Sequence, residues 1–176
     1  MGSTLYDGTI VVLQGLLPTL SHILHQAEQR PDASALLDAR LIDDMYPLTA
    51  QVRIATQWSE NLVARLSGRE PVAFEGSPTT FAECQERIET VLKTINGADK
   101  SVINQHGDVV TSTKLGPGKT ADLTGATYAH RLALPNIYFH VNTAYGILRK
   151  EGVPLGKGDY FAGFYPKAAQ GNEAKE

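Results

Sequence analysis

The sequence predicts a mainly α-helical protein, a four-helix bundle with a small β-hairpin inserted before the last helix. Four long segments repeat apolar residues at three- and four-residue steps, which is the period of an amphipathic helix. A stretch rich in Thr, Val and Gly separates the third segment from the fourth. With 176 residues, the chain can bury a single sizeable core. We place one bundle domain at residues 1–166 and expect a flexible C-terminal tail at residues 167–176.

The first helix is predicted over residues 4–30, and its apolar stripe comprises Ile10, Leu13, Leu17, Leu20, Leu24 and Ala27. Pro18 lies inside the stripe, and because the period continues past it we expect a kink there and not an end. Pro31 then ends the helix. Asp32 is predicted to cap a short helix that runs through Leu37.

The next two long helices have recognisable start signals. The second is predicted to begin near Pro47, because proline is tolerated in a first turn, and to end at Gly68. The third is predicted to follow Pro78, with Thr80 and Glu83 forming a capping box, and to end at an Asn-Gly pair.

Residues 99–123 change character. Strand-forming residues at 109–113, a Gly-Pro-Gly turn and a short second arm predict a hairpin. It should pack on the helices, because an isolated hairpin is only marginally stable. Thr124 is predicted to cap the fourth helix, which runs to about Lys150, and the chain is then expected to lie on the bundle as far as about Tyr165.

Composition excludes several classes of function. The 16 basic residues do not outnumber the 19 acidic ones, and no basic block stands out, so we expect no nucleic-acid partner. Uninterrupted apolar stretches are far shorter than the roughly 18 residues of a membrane span, and no signal peptide is evident, so we expect no membrane partner. The lone Cys84 excludes an internal disulfide framework and favours a reducing compartment. We therefore expect a cytoplasmic protein.

Polar residues interrupt two of the apolar stripes. Asn136 and His140 lie four residues apart on the fourth helix, and Gln51 lies beside the stripe of the second. A buried polar group without a partner costs about 1–3 kcal/mol, so each should be hydrogen-bonded. Two interpretations remain open here. The residues form a structural network, or they form a polar site in which His140 acts as an acid, a base or a ligand.

Other candidate site residues are single polar side chains. Asp44 is placed either to cap the second helix or to pair with Arg40. Lys157 with Asp159 could hold an anionic ligand, although the glycines around them favour a tight turn. No motif for a nucleotide or a redox cofactor is present, and we expect no cofactor.

Several stretches together resemble the DinB/YfiT-like four-helix-bundle superfamily, in a branch known only as a domain of unknown function. They are Leu36–Leu41, Asp44–Leu48 with Gln51, Leu134–Asn136, Phe139–His140, Thr143–Tyr145, Ile147–Arg149, Gly152–Val153, Gly156–Lys157 and Asp159–Tyr160. The resemblance spans nearly the whole chain. It implies a DinB-like bundle, small-molecule chemistry and a homodimer.

The resemblance also implies the position of a metal site. Many superfamily members bind a divalent metal through three histidines, one on the second helix and two, four apart, on the last. In the matching register, His140 is the second of the paired histidines, Asn136 replaces the first and Gln51 falls near the third. Neutral amides are poor ligands for zinc or nickel beside a single imidazole, so we expect no tightly bound catalytic metal.

From this we expect a metal-independent bundle that binds a small organic molecule, an isomerase, a lyase or a group transferase. His140 is the predicted proton-transfer group, and Asn136 and Gln51 the residues that orient a carbonyl or hydroxyl. Substrate-binding residues are predicted to be Asp44, Tyr46, Trp58, Tyr145 and Lys157. The alternatives are a non-catalytic dimeric scaffold with a structural polar cluster, and a divalent-metal-dependent thiol transferase.

Overall fold

Four long helices form the frame of the protein in the computed structural model, which describes residues 2–165. They are α1 (Leu5–Glu28), α3 (Leu48–Leu66), α4 (Phe81–Asn96) and α7 (Leu134–Lys150). Short helices lie between and after them: α2 (Ala33–Leu36), α5 (Lys100–Gln105), α6 (Gly125–Tyr128) and α8 (Lys157–Phe161). A 3-10 turn (His106–Asp108) precedes strands β1 (Val110–Gly116) and β2 (Lys119–Thr124), and a π-helical turn (Ala129–Ala133) precedes α7. The predicted fold class is confirmed.

The hydrophobic core lies where the four long helices meet. Helix α1 packs on α4 and α7, and α3 packs on the same two helices, with α3 and α7 making the most extensive contact. All four helices contribute fully buried aliphatic side chains, among them Leu13, Leu20, Leu48, Leu62, Ile88, Ile95 and Ile147. Each such side chain contributes about 1.5–3 kcal/mol through its removal from water.

Helix α1 begins at a cap that the sequence analysis did not identify. The Thr4 hydroxyl accepts a hydrogen bond from the Asp7 N–H, and the Asp7 carboxylate accepts one from the Thr4 N–H. Pro18 lies inside α1, so the prediction that it does not end the helix is confirmed. The predicted cap of α2 is wrong. The Asp32 carboxylate makes no cap bond and instead accepts from Arg30 Nε and Nη2 at 2.8 and 2.7 Å.

Helix α4 begins as predicted at Thr80, whose hydroxyl accepts from the Glu83 N–H at 3.1 Å. The reciprocal half of the predicted capping box is shifted by one residue. The Glu83 carboxylate accepts from the N–H and the hydroxyl of Thr79. Two donors on one residue hold the carboxylate there more strongly than a single N–H at the cap position could.

The hairpin is confirmed, but the segment before it is more helical than predicted. Strands β1 and β2 pair antiparallel, with Thr113 opposite Ala121, and turn at Gly118, which has a φ of +68°. Helix α5 precedes them, capped by the Asp99 carboxylate. Its six residues are too few to display a helical apolar period, so the sequence pattern could not reveal it.

The predicted fourth helix is three helical pieces in succession. Thr124 caps α6 as predicted, accepting from the Thr127 N–H at 3.1 Å. The chain then makes the π-helical turn before α7, whose first turn contains Pro135. A proline ring has no N–H and collides with the carbonyl four residues earlier, which a wider turn relieves. Helix α7 ends, as predicted, at Lys150, and Gly152 follows it with a φ of +81°.

The chain after α7 returns to the first helix. Helix α8 packs on α1, where the Thr19 hydroxyl donates to the Tyr160 carbonyl at 3.0 Å and accepts from the Gly163 N–H at 3.1 Å. The Phe164 ring lies directly over Gly15, where a Cβ atom would collide with it. The segment thus lies on the bundle as far as Tyr165. The tail predicted at residues 167–176 lies outside the described residues, and the domain bounds stay a prediction.

Helix α1 has a property that the search for uninterrupted apolar stretches missed. By length and mean hydropathy alone it could cross a membrane. However, 56% of that window is buried inside the bundle, and the buried core helix of a water-exposed bundle meets the same criterion.

Candidate functional site

The candidate site is a chain of hydrogen bonds between α3 and α7. His140 Nδ1 lies 2.6 Å from Gln51 Oε1, and Gln51 Nε2 donates to the Tyr46 carbonyl at 2.8 Å. The structure therefore brings together two of the predicted catalytic residues, which are 89 positions apart in the sequence. Both side chains are buried. Gln51 lies in the first turn of α3 and faces α7, and His140 lies in the middle of α7 and faces α3.

This arrangement fixes the state of the imidazole. Since the amide oxygen of Gln51 only accepts, His140 Nδ1 carries the proton and, in the neutral ring, Nε2 is left as an acceptor. Burial, and to a lesser extent the positive charge of Arg53, lower the pKa of His140 to about 4. At neutral pH, His140 is an uncharged imidazole in one tautomer.

Asn136 lies one helical turn before His140 and supplies a second acceptor. Its Oδ1 atom is buried and has no hydrogen-bond partner among the described residues. A buried carbonyl oxygen without a hydrogen bond lowers the stability of the fold by about 1–3 kcal/mol. The atom therefore either destabilises the fold or accepts a hydrogen bond from a ligand. Arg53 Nε is buried without a described partner as well. Sequence reasoning missed Arg53 because it lies outside the apolar stripe of the helix.

The residues predicted from the segment before α3 do not take their predicted places. Asp44 is exposed, and it neither caps α3, which has no side-chain cap, nor pairs with Arg40, whose guanidinium donates to the Met45 carbonyl. Tyr46 is 62% exposed, and the predicted part of its side chain in substrate binding stays a prediction. Only the Tyr46 carbonyl takes part in the site, and a backbone atom carries no sequence signal.

The other predicted substrate-binding residues lie elsewhere. Trp58 is two turns along α3 from Gln51 and stacks on Tyr128 at 6.2 Å. Tyr145 makes an edge contact with Tyr160 near α8, at 6.0 Å. Lys157 is exposed on α8, with its ammonium 5.6 Å from the centre of the Phe161 ring. The structure thus does not gather these three residues around His140.

The possible anion clamp of Lys157 and Asp159 is not formed. The Asp159 carboxylate bonds instead to His22 Nε2 at 2.8 Å and to the Gly156 N–H at 2.7 Å. The backbone bond and the histidine lower the pKa of Asp159 against the opposing effect of its burial. Asp159 therefore ties α8 to α1 and caps α8.

The residues at the implied metal position do not fit a divalent metal. Gln51 Oε1 is engaged by the imidazole N–H of His140, and the other donor, Asn136, is a neutral amide. Within residues 2–165, no group of three His, Cys, Asp or Glu side chains could hold a metal ion. Zinc and nickel sites need histidine, cysteine or carboxylate ligands, and of these the implied position offers only His140. Metal content, oligomeric state, localisation and the absence of nucleic-acid and membrane partners stay predictions.

Comparisons with known proteins agree with the fold. A search of curated proteins found no match. The family model described as "Domain of unknown function (DUF1993)" matches residues 5–161. The crystal structure of a DinB family member protein from Shewanella denitrificans is similar with a TM-score of 0.80 and 38% sequence identity, covering 89% of this chain and 91% of that one. The chain therefore belongs to the DUF1993 family, a domain of unknown function within the DinB-like helical bundles.

Proposed function

We propose that this protein binds a small organic molecule at the cluster of Gln51, Asn136 and His140 and acts on it without a metal. The observation that carries the proposal is the buried Oδ1 of Asn136, which has no described partner one helical turn from a neutral imidazole. A buried acceptor without a described partner, one helical turn from an imidazole whose Nε2 also accepts, calls for a ligand that donates. A hydroxyl, amine or amide group on the ligand meets that requirement.

The nearby Arg53 specifies the ligand further. Its charge acts on His140, and its Nε lacks a described partner, so a carboxylate on the ligand would find a cation beside the two acceptors. A small acid that carries a hydroxyl or amino group fits this set of contacts. The reaction class is isomerisation, elimination or group transfer.

The proton-transfer role of His140 depends on such a ligand. An imidazole with a pKa of about 4 is a weak base at neutral pH, whereas proton transfer is fastest when the catalytic pKa lies near the working pH. A bound carboxylate raises the imidazole pKa by placing a negative charge beside it. Binding and activation of the base are therefore coupled in this proposal.

The test is a comparison of Asn136→Leu with Asn142→Leu, a matched substitution of an exposed asparagine on the same helix. If Oδ1 is kept for a ligand, Asn136→Leu removes an unsatisfied buried acceptor and raises Tm by about 2–4 °C, whereas Asn142→Leu leaves Tm nearly unchanged. Thermal-shift screening against small hydroxy and amino acids should then stabilise the wild type but not Asn136→Leu or His140→Ala. A lower Tm for Asn136→Leu, with no compound that separates it from the wild type, would make Asn136 structural.

One observation favours the scaffold alternative. The two polar groups of Gln51 are both used, one by His140 and one by the Tyr46 carbonyl, so the glutamine ties the segment before α3 to α7. In a purely structural cluster, Gln51→Leu lowers stability and no small molecule shifts Tm. The thiol-transferase alternative predicts stoichiometric metal in the purified protein, lost in His140→Ala, which elemental analysis measures directly.

A further inference from the structure

A second cleft, of about 1000 Å³, lies between the C-terminal half of α3 and strand β1. Its walls include Trp58, Arg65, Thr111, Lys114 and Tyr128, and its lining contains none of the three residues of the His140 cluster. The volume is at the upper end of the range for small-molecule sites. This cleft is therefore a separate place where a ligand could bind.

One wall of the cleft is aromatic. The rings of Trp58 and Tyr128 stack with their centres 6.2 Å apart and their planes 23° apart. Tyr128 is buried and Trp58 half-buried, so the indole is the accessible part of this wall. Planar rings stack on such a surface through dispersion and offset π contacts.

The lining of the cleft also contains positively charged side chains. The Arg65 guanidinium lies 5.1 Å from the centre of the Tyr128 ring, and its Nη2 donates to the carbonyls of Thr111 and Leu123. Its Nε is buried with no hydrogen-bond partner among the described residues. Lys114 is exposed on β1. The ion pairs found within residues 2–165 include neither Arg65 nor Lys114.

The remaining charges of the cleft do not cancel this excess. Arg69 also lines it, but the buried Glu60 carboxylate pairs with its guanidinium at 2.6 Å. Glu70 is the one acidic residue of the lining. A positive cleft on a chain with a formal net charge of −3 attracts anions selectively. We propose that this cleft binds a small aromatic carboxylate, with the ring on Trp58 and the carboxylate toward Arg65 and Lys114.

The protein carries its own reporter, because Trp58 is its single tryptophan. We would titrate the full-length protein with 4-nitrobenzoate, whose nitroaromatic ring quenches an indole on contact, and with the neutral 4-nitrobenzamide of the same shape. We expect saturable quenching by the carboxylate with a Kd below about 1 mM. The amide should bind about fivefold more weakly. Raising the salt concentration from ~0.01 M to ~0.15 M should weaken the binding of the carboxylate but not that of the amide.

Variants locate the site. Lys114→Gln should weaken the binding of 4-nitrobenzoate by about two- to fivefold. Lys119 is an exposed lysine of the same hairpin that lies outside the lining of the cleft, so Lys119→Gln should leave the affinity unchanged. His140→Ala should keep the wild-type Kd, which separates this inference from the function proposed above. Equal affinity for the amide, quenching that rises linearly without saturation, or equal effects of the two lysine variants would each overturn the proposal.

Discussion

The low pKa of His140 predicts a specific loss of stability in mild acid. The pKa is about 4 in the folded protein against an ordinary value of 6.5. Between these values the unfolded chain takes up a proton at His140 that the folded protein does not, so stability falls as the pH falls. Above pH 6.5 both states are neutral and the effect vanishes. At 1.36 kcal/mol per pH unit, the full difference is about 3 kcal/mol, of which about 2 kcal/mol is lost between pH 7 and pH 5.

Urea unfolding at pH 7, 6 and 5 measures this loss. Carboxylates also contribute to the pH dependence, but they are common to the wild type and to His140→Gln, so the difference between the two slopes isolates the imidazole. His25→Gln is the matched control for the loss of a histidine, because that ring is exposed on α1. If the wild type and His140→Gln lose equal stability between pH 7 and pH 5, His140 is not buried as a neutral ring and the reasoning is refuted.

Two further predictions concern buried groups elsewhere in the bundle. Arg69→Ala leaves the buried Glu60 carboxylate without its cation and should cost about 3 kcal/mol in urea unfolding. Arg30→Ala should cost less than Arg69→Ala, because Asp32 is 55% exposed, and equal costs would contradict the assigned burial. Burial raises the pKa of Cys84 to about 12, so a thiol reagent at pH 8 should react only after urea unfolds the protein. Rapid labelling of Cys84 in the native protein would contradict the burial of this thiol.

The long helices could be predicted because each buries a continuous apolar stripe, and the stripe is visible in the residue order. Two of the short helices could not be predicted. Helices α5 and α8 have six and five residues, less than two turns, so no period can be recognised in them. The hydrogen-bond partners of carboxylates at helix starts could not be predicted either. Asp32 and Glu83 each have two candidate partners within a few residues, and the choice depends on side-chain geometry.

The site was predictable only in part, for a geometric reason. Periodicity identifies which face of a helix is buried, and the resemblance to the DinB-like bundles then implied that Gln51 on α3 meets His140 on α7. Periodicity does not fix the level along the bundle axis. Trp58 shares the face of Gln51, but at 1.5 Å per residue it lies about 10 Å further along α3. It therefore meets Tyr128 and lines a different cleft.

The residue type at position 51 is suited to holding a buried, neutral histidine. A side-chain amide both donates and accepts, so Gln51 can hold the His140 N–H with its oxygen while its nitrogen satisfies the Tyr46 carbonyl. A carboxylate at this position would also accept from the imidazole, but it could not donate to that carbonyl, and its charge would raise the pKa of the ring. The amide keeps His140 neutral, buried and in one tautomer. The remaining nitrogen, Nε2, is left as an acceptor one helical turn from the unpartnered oxygen of Asn136, an arrangement that favours a hydrogen-bond donor over a cation.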